Sequence, residues 1–400
     1  MDPAPIAADE TQDFVRAVFL AFHNVVPPEE VEERAKNVEP ERTLVLRDDG
    51  RIVAAAGIFT RELTVPGAIV PAAAVTMVGV HPTHRRRGML TALMRRQLAD
   101  IHEGGREAVA ALWASESAIY GRFGYGMATI TSDLEIATRE ARLLVTPSLP
   151  VTLHDPADAI DAMRPMHEAV RAVVPGMLDR HGRWWETRVR DPERDRDGAQ
   201  PLRAAVIEDA AYALFAVKPR FETGLPTGEV IVREVVSTDP DAHAAIWSFL
   251  LGLDLTRTVT WELAPLDEPL PHMLAEARAV VANNVGDALW LRVVDLPRAL
   301  SERSYGEPFE VVIEVADAVC PWNAGRWALR WDGSTASCAR TSLPAALELG
   351  AADVGAAYLG ATPLEVLARA GRVRELRAGA LAPVSRSFVS NRAPWCPEIF

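Results

Sequence analysis

The chain has 400 residues, of which 49% are hydrophobic and 24% charged, a globular composition that excludes bulk disorder. This length is too great for one ordinary core and predicts two or three domains. The formal net charge is −13, with 55 acidic against 42 basic residues. A nucleic acid is therefore a poor partner, and a cationic small molecule is a better one.

The sequence shows no signal for secretion or membrane insertion. Its N-terminus, MDPAPIAADETQDF, has neither a basic start nor an apolar stretch and is not a secretory signal. The longest apolar runs, such as AAIWSFLLGL, are too short to cross a bilayer. Cys320, Cys338 and Cys396 form no CxxC pair and predict neither a disulfide framework nor a zinc set. We therefore expect a cytoplasmic protein.

The first 150 residues predict a mixed α/β domain. Helical spacing of apolar residues indicates helices, and β-rich runs on both sides of Asp48-Asp49-Gly50 indicate a hairpin. A buried strand then leads through a basic loop into an amphipathic helix that ends at Gly104-Gly105. In chain order we predict helices at 11–26 and 27–38, a hairpin at 42–63, a strand at 72–80, a helix at 89–102, a strand at 106–115, a short helix or turn at 116–124 and a strand at 125–136.

The rest of the chain divides into two further parts. Within 151–285, the segment REVVSTDPDAHAAIWSFLLGL repeats the strand, turn and helix of MVGVHPTHRRRGMLTALMRRQL. Its turn has Asp239, Asp241 and His243 in place of arginines and would repel a pyrophosphate, so we interpret this part as structural. From 286 onward we predict strands at 287–296, 307–315 and 325–333 and helical stretches at 343–350 and 363–371.

The basic loop HPTHRRRGML has the features of an anion site. A helix that follows a strand presents free backbone N–H groups and the positive end of its dipole. Arg85, Arg86 and Arg87 add fixed charge and bidentate donors, and Gly88 lets an oxygen approach the backbone. The loop is neither a P-loop nor a dinucleotide fingerprint. A solvated basic face is the alternative, but the position between strand and helix favours a pyrophosphate.

Strand, RRRG and helix in this order resemble the acetyl-CoA pyrophosphate loop of the GCN5-related N-acetyltransferases (GNAT). The family pattern is Gln/Arg-x-x-Gly-x-Gly/Ala, and this chain departs from it at Leu90. Together with ASESAIYGRFGYG and a carboxy-terminal phenylalanine, HPTHRRRGML resembles the Eis (enhanced intracellular survival) acetyltransferases. The resemblance implies an α/β (α+β) fold: a catalytic GNAT domain at 1–150, a second, degenerate GNAT-like domain at 151–285 and a sterol-carrier-protein-like domain at 286–400.

The same resemblance implies which residues bind acetyl-CoA. Gly79 lies within an apolar strand, where glycine marks a bulge or a close backbone neighbour, with core packing as the alternative. In the family this strand pairs with the pantetheine arm, and the loop after it lines the pyrophosphate. The implied coenzyme-binding residues are Val78, Gly79, Val80, Arg86, Arg87, Gly88, Met89, Leu90, Thr91, Ser115 and Glu116.

Acetyl transfer to an amine needs a base for the amine and a proton for the departing thiolate. By resemblance Tyr120 is the donor, since a phenol with a pKa of about 10 stays protonated and lies near a thiol of about 8.5. The alternatives are that Tyr120 only packs, or that Tyr125 is the donor. The resemblance assigns the base to the terminal carboxylate of Phe400, whose pKa burial would raise, with Glu398 as the alternative.

The resemblance therefore implies an acetyl-CoA-dependent N-acetyltransferase that acts on polycationic amines such as aminoglycosides, at more than one amine. Two alternatives stay open: acetylation of protein lysines, and non-catalytic binding of acyl-CoA or lipid. No metal is expected, because His81 and His84 have no third ligand nearby. The family suggests a homo-oligomer, a hexamer, and we expect neither nucleic acid nor membrane as a partner.

Overall fold

The computed structural model describes residues 2–400, which form two compact units. The first unit contains the chain up to Thr129, together with Leu289–Asn391 and Glu398–Phe400. The second contains Ile130–Ala288 and Arg392–Pro397. Within residues 2–400 no helix is both long and apolar enough to span a membrane.

The first unit begins with the elements that form the candidate site. They are the helices α1 (Thr11–Ala21), α2 (Pro28–Ala35), α3 (Met89–Gly104) and α4 (Ser117–Tyr120) and the strands β1 (Leu44–Asp48), β2 (Arg51–Val65), β3 (Ala68–Val80), β4 (Val109–Trp113) and β5 (Gly126–Met127).

The second unit is built on a seven-stranded sheet in the order β14-β6-β13-β12-β9-β8-β7, with a separate small hairpin of β10 and β11. Its core is apolar and centres on Trp247 and Trp261, both fully buried. Its elements are β6 (Ile130–Ala137), β7 (Thr152–His154), α5 (Ile160–Arg171), α6 (Arg183–Val189), β8 (Arg203–Ile207), β9 (Ala211–Lys218), β10 (Phe221–Glu222), β11 (Leu225–Pro226), β12 (Gly228–Ser237), α7 (Pro240–Leu251), β13 (Thr256–Pro265), α8 (Leu270–Met273) and β14 (Val280–Asp287).

The chain then returns to the first unit. There β15 joins the first sheet, and five later strands form a second sheet in the order β18-β17-β16-β19-β20. These elements are β15 (Leu289–Val293), α9 (Leu296–Glu302), β16 (Phe309–Ala316), β17 (Gly325–Trp331), β18 (Ala336–Arg340), β19 (Leu347–Gly350), α10 (Ala351–Tyr358), α11 (Leu364–Arg369), β20 (Val373–Glu375) and α12 (Leu381–Phe388).

The six-stranded sheet of the first unit has the order β1-β2-β3-β4-β15-β5. The hairpin of β1 and β2 turns at Asp49 and Gly50, which both have positive φ (46° and 77°), as a tight hairpin turn requires. Helix α3 connects β3 to the parallel strand β4 and buries Leu93, Met94 and Leu98 completely. The predicted hairpin and amphipathic helix are therefore confirmed.

Strands β3 and β4 pair over only three residues each. The parallel register runs from Ala72 to Ala74 opposite Val109 to Ala111, and beyond these positions β3 has no pairing to β4. The irregularity on the other side of β3, where it pairs with β2, falls at Met77, which has a φ of 54°. The last residues of β3 thus have backbone groups on their β4 side that the sheet does not use.

The structure differs from the sequence-based elements in three places. The strand predicted at 125–136 is broken: β5 lies in the first sheet, while β6 pairs with β13 and β14 in the second unit. Strand β15, which follows position 286, pairs with β4 and β5 of the first sheet. The stretch 343–350, expected to be helical, ends in β19, because Leu347 and Leu349 alternate into the core beside β16. The division at 150 and 285 stays a prediction.

Candidate active site

A cavity of about 730 Å³ opens in the first unit where β3 and β4 part. Its walls are the end of β3, the loop and first turn of α3, the segment after β4, and the end of α1. Of the predicted site residues, Val78, Gly79, Val80, Arg86, Gly88, Met89, Leu90, Thr91, Ser115, Glu116 and Tyr120 line it. Arg85, which the sequence analysis had placed in the anion-binding loop, also lines it, and sequence reasoning missed further lining residues, namely Ala21, Phe22, His23, His84, Ile119 and Arg122.

Helix α3 starts at this cavity with free backbone donors. Its N-cap is Gly88, which has a φ of 78° and no side chain to accept the N–H groups of the first turn. A Cβ built on Gly88 would meet no atom within 4 Å, so the space in front of the helix start is open. Glycine therefore meets two needs here, a left-handed backbone and access to the N–H groups.

The three arginines of the loop occupy different environments. Arg86 lines the cavity and has a φ of 62°, a left-handed conformation that is costly for a residue with a side chain. Arg85 donates from Nη2 to the carbonyl oxygen of Ala21 at 3.0 Å and so holds the loop to the end of α1. Arg87 is exposed and, among the described residues, does not belong to the cavity wall. Arg85 and Arg86 thus both line the cavity, and Arg85 in addition holds the loop to α1, whereas Arg87 lies outside the cavity wall.

Two histidines, His81 and His84, hold the arginine loop in place by hydrogen bonds. His84 Nε2 lies 2.9 Å from Asp48 Oδ2 at the tip of the first hairpin, and its Nδ1 lies 2.8 Å from the Thr83 hydroxyl. His81 Nδ1 lies 2.7 Å from the same hydroxyl. This chain of hydrogen bonds fixes the backbone immediately before Arg85. Within residues 2–400 no three His, Cys, Asp or Glu side chains are grouped to bind a metal ion.

Gly79 is required by packing. A Cβ on this residue would lie 2.8 Å from Ala21 Cβ, closer than real side chains come. Its position therefore lets α1 approach β3, and the ring of Phe22 reaches the same wall of the cavity. The packing alternative for Gly79 thus has a direct structural basis, and its contact with a coenzyme stays a prediction.

Tyr120 and Tyr125 are separated by their surroundings. Tyr120 lines the cavity and is 7% exposed, whereas Tyr125 is completely buried and lies outside the described cavity wall. Their rings meet edge to face, with centroids 6.0 Å apart. Burial, helped by the nearby charge of Glu116, raises the pKa of Tyr120 to about 12. This value is above the ordinary phenol value assumed from sequence, so Tyr120 stays protonated over a wider pH range than expected.

The carboxy-terminal segment makes hydrogen bonds with earlier parts of the chain. Within the second unit, Trp395 donates from Nε1 to Leu263 O at 2.7 Å and its backbone N–H donates to Pro175 O at 2.8 Å. Within the first unit, Glu398 Oε2 accepts a hydrogen bond of 3.2 Å from Nη2 of the buried Arg61 on β2. Glu398 thus contributes to anchoring the tail by an ion pair.

Phe400, the predicted base, lies in the first unit and is half-buried. It is not among the described residues that line the cavity. Its terminal carboxylate follows two residues after the anchored Glu398, which limits how far the chain end can move. The assignment of this carboxylate as the base stays a prediction.

In the second unit, the helix start after the corresponding strand and turn is capped by a side chain of the chain itself. Helix α7 begins after Asp239, whose Oδ1 accepts the N–H groups of Asp241 and Ala242, each at 3.0 Å. His243, in the first turn, lies 2.8 Å from both Ser237 Oγ and Glu268 Oε1. The helix start that could bind an anion is therefore already occupied by a carboxylate.

Comparisons with known proteins agree with this architecture. Residues 2–128 match an acetyltransferase (GNAT) domain family, residues 176–293 match a second acetyltransferase (GNAT) domain family, and residues 296–397 match a sterol carrier protein domain family. These matches confirm the predicted fold class, tandem GNAT-like domains followed by a sterol-carrier-protein-like domain. A GCN5-related N-acetyltransferase from Anabaena variabilis, 20% identical, has the same fold over 100% of both chains with a TM-score of 0.87.

Full-length relatives identify the family. An N-acetyltransferase of Streptomyces avermitilis is 44% identical over 100% of this chain and 99% of its own length. The N-acetyltransferase Eis of Mycobacterium tuberculosis is 33% identical over 95% of this chain and 96% of its own. The crystal structure of Eis1 from Mycobacterium abscessus, 32% identical, superposes over 100% of both chains with a TM-score of 0.89. The chain therefore belongs to the Eis-like family of GCN5-related N-acetyltransferases and is an N-acetyltransferase.

Proposed function

We propose that this enzyme transfers the acetyl group of acetyl-CoA to amines of polycationic small molecules, such as aminoglycosides, at more than one amine per molecule. The observation that carries the proposal is that one cavity contains both a candidate anion site and a candidate proton donor. The open N-terminus of α3, Arg86 and Tyr120 all line this cavity. Among the described elements at the two junctions, α3 offers uncapped N–H groups and α7 does not.

The coenzyme fits the cavity by charge and by backbone chemistry. A pyrophosphate takes the N–H groups of the first turn of α3 and the guanidinium of Arg86. The unpaired side of β3 at Val78 and Val80 suits the amide groups of a pantetheine arm, because the sheet leaves peptide groups there without a strand partner. Bound acetyl-CoA supplies the acetyl carbonyl and a thiolate leaving group.

Two residues of the chain then transfer the two protons of the reaction, the one lost by the amine and the one gained by the sulfur. The carboxylate of Phe400 accepts the proton that the amine loses as the new C–N bond forms. Tyr120 donates its phenolic proton to the sulfur as the C–S bond breaks. Burial raises its pKa to about 12, so it is protonated at neutral pH, as an ordinary phenol also is. The assignment of Phe400 is supported by the family resemblance. It is also supported by the ion pair of Glu398 with Arg61, because this pair engages the alternative carboxylate and anchors the chain two residues before Phe400.

The substrate class is supported by electrostatics. The chain has a formal net charge of −13, which favours association with polycations over acidic or neutral acceptors. Acetylation of protein lysines is the second candidate, since a lysine peptide offers the same amine. A homo-oligomer, a hexamer by family resemblance, and a cytoplasmic location belong to this proposal, and light scattering after size-exclusion chromatography tests the assembly.

The test is a panel of amines incubated with acetyl-CoA and analysed by mass spectrometry. We expect mass increases of one or more acetyl groups on kanamycin and related polyamines, and much slower release of free thiol with a lysine peptide of matched charge. A Tyr120→Phe variant serves as the low-activity control. Faster turnover of the peptide than of every polyamine would replace the proposed substrate class. Binding of coenzyme without acetylation of any amine would favour the binding-protein alternative for this chain.

A further inference from the structure

A buried ion pair lies in the first unit next to the turn that carries Tyr120. Arg292, on β15, donates from Nη2 to Asp317 Oδ2 at 2.6 Å, and each of the two side chains is 1% exposed. Neither belongs to the described cavity wall. Buried ion pairs contribute little to stability on average, so their best-attested use is to fix a geometry.

The guanidinium of Arg292 packs directly on the backbone of Gly124. A Cβ built on Gly124 would lie 2.8 Å from Arg292 Cζ and 2.9 Å from its Nη1. Gly124 has a φ of 83° and ends the turn that starts at Tyr120. Glycine is therefore needed here both for its conformation and for the contact with the guanidinium.

The turn is tied to Tyr120 by a hydrogen bond and by ring packing. The backbone N–H of Tyr125 donates to the carbonyl oxygen of Tyr120 at 3.3 Å, and that of Gly124 donates to Gly121 O at 3.0 Å. The completely buried ring of Tyr125 meets the ring of Tyr120 edge to face. A displacement of Gly124 would therefore also shift its neighbour Tyr125, which contacts Tyr120 through both its backbone and its ring.

Asp317 is itself held rigidly. Its Oδ1 accepts the N–H groups of Val319 and Cys320 at 3.2 and 2.8 Å, and Asn323 Nδ2 lies 3.4 Å from Oδ2. The guanidinium of Arg292 is therefore held in place by Asp317 while it packs against the Gly124 backbone. Strand β15 places it there, because this strand pairs with both β4 and β5.

We propose that Arg292, oriented by Asp317, is a positioning residue that holds the turn from Tyr120 to Tyr125 so that the Tyr120 hydroxyl reaches the acetyl-CoA cavity. The effect on turnover rests on the proposed donor role of Tyr120. The positioning itself does not depend on that role and rests on the contacts of Arg292 with Asp317 and Gly124.

The main test introduces a methyl group between the guanidinium and the turn by Gly124→Ala. Two controls are matched to it. Gly121→Ala lies in the same turn with a φ of −56° and has no atom within 4 Å of the added carbon. Gly371→Ala has a φ of 74° and equally open surroundings, so it measures the cost of backbone strain alone.

We expect Gly124→Ala to lower kcat about 10- to 100-fold, since a displacement of about 1 Å can have this effect, while the KM for acetyl-CoA changes less than about twofold. Both controls keep kcat within about twofold of the parent enzyme. A second variant, Arg292→Met combined with Asp317→Asn, removes both charges, while the amide oxygen of the asparagine can still accept the N–H groups of Val319 and Cys320. It should lower kcat in the same way.

The position of Tyr120 is measured separately by ¹⁹F NMR of protein labelled with 3-fluorotyrosine. The chain has only 5 tyrosines, and loss of one resonance in Tyr120→Phe assigns it. A shifted Tyr120 resonance in Gly124→Ala and in the double variant, but not in the controls, supports the positioning role. An unchanged resonance and an unchanged kcat in both variants overturn it. A shifted resonance in variants with unchanged turnover keeps the positioning role and overturns the donor role of Tyr120.

Discussion

The helices α3 and α7 both begin where a strand runs into a turn, and their first turns differ in one respect. At α3 the N-cap is Gly88 and the space before it is open, whereas at α7 the N-cap is Asp239, whose carboxylate accepts two of the first N–H groups. The same strand–turn–helix unit can thus leave its first N–H groups free for an anion from solution, or pair them with a carboxylate of its own N-cap residue. The choice depends on one residue at the helix start, not on the presence of the fold.

The largest expected effect is a loss of kcat, and it tests whether acetyl transfer takes place only at the site beside α3. Tyr120→Phe removes the phenolic proton and should lower kcat about 100-fold or more, in the range of general acid catalysis. Steady-state kinetics with acetyl-CoA and kanamycin measure it.

Because the pKa of Tyr120 is raised to about 12, kcat of the parent should not decline between about pH 8 and 10 through loss of this proton. A decline with a midpoint near the ordinary phenol value would contradict the burial argument.

The comparison is tested most directly by making α3 resemble α7. Gly88→Asp places a carboxylate at the open helix start, and we expect acetyl-CoA to bind about 30- to 150-fold more weakly, corresponding to about 2–3 kcal/mol. Isothermal titration calorimetry measures the affinity. Gly88→Asn is the matched control, since asparagine has the same shape, tolerates positive φ and carries no charge. Equal losses in the two variants would mean that crowding or capping of the N–H groups by a side-chain oxygen, and not charge, weakens binding.

The separate environments of the loop arginines give a smaller effect. Arg86→Gln should raise the KM for acetyl-CoA about tenfold, because this side chain lines the cavity. Arg87→Gln should change it less than about threefold, because Arg87 lies outside the cavity wall. Equal effects of the two substitutions would show that the coenzyme also contacts the outer side of the loop.

The smallest effect concerns the closed junction of α7. Asp239→Ala removes the cap of this helix and should reduce the free energy of unfolding by about 1 kcal/mol. Turnover and the KM for acetyl-CoA should stay within about twofold of the parent. Chemical denaturation and kinetics on the same preparations measure both. A loss of coenzyme affinity in this variant would assign a ligand-binding role to α7 that its geometry does not indicate.

Local signals in the sequence predicted much of this site. The hairpin at Asp49-Gly50 and the helix after Gly88 follow from turn residues and periodicity, and the family resemblance supplied most of the residues that line the cavity. The same signals could not distinguish the three arginines, because Arg85 contacts the end of α1 more than 60 residues earlier in the chain. Nor could they give the pKa of Tyr120, which depends on burial.

Long-range strand pairing explains the errors in the fold. Residues 343–350 have an apolar pattern and good helix formers, yet Leu347 and Leu349 pair into a sheet whose partner strand, β16, lies about 30 residues earlier. Likewise, nothing within Leu289–Val293 indicates that it pairs with β4, since a buried strand has the same composition whichever sheet receives it. The contact of Arg292 with Gly124 was missed for the same reason.

The placement of β15 between β4 and β5 has a consequence for biosynthesis. On the ribosome, the sheet that carries the candidate active site cannot close until residue 293 has emerged, long after its first five strands have been made. A fragment that stops near residue 150 would leave an open, apolar edge on β4 and invite aggregation. Expression of the amino-terminal part alone should therefore give insoluble material, and chain truncations meant to isolate the acetyltransferase would need to retain Leu289–Val293.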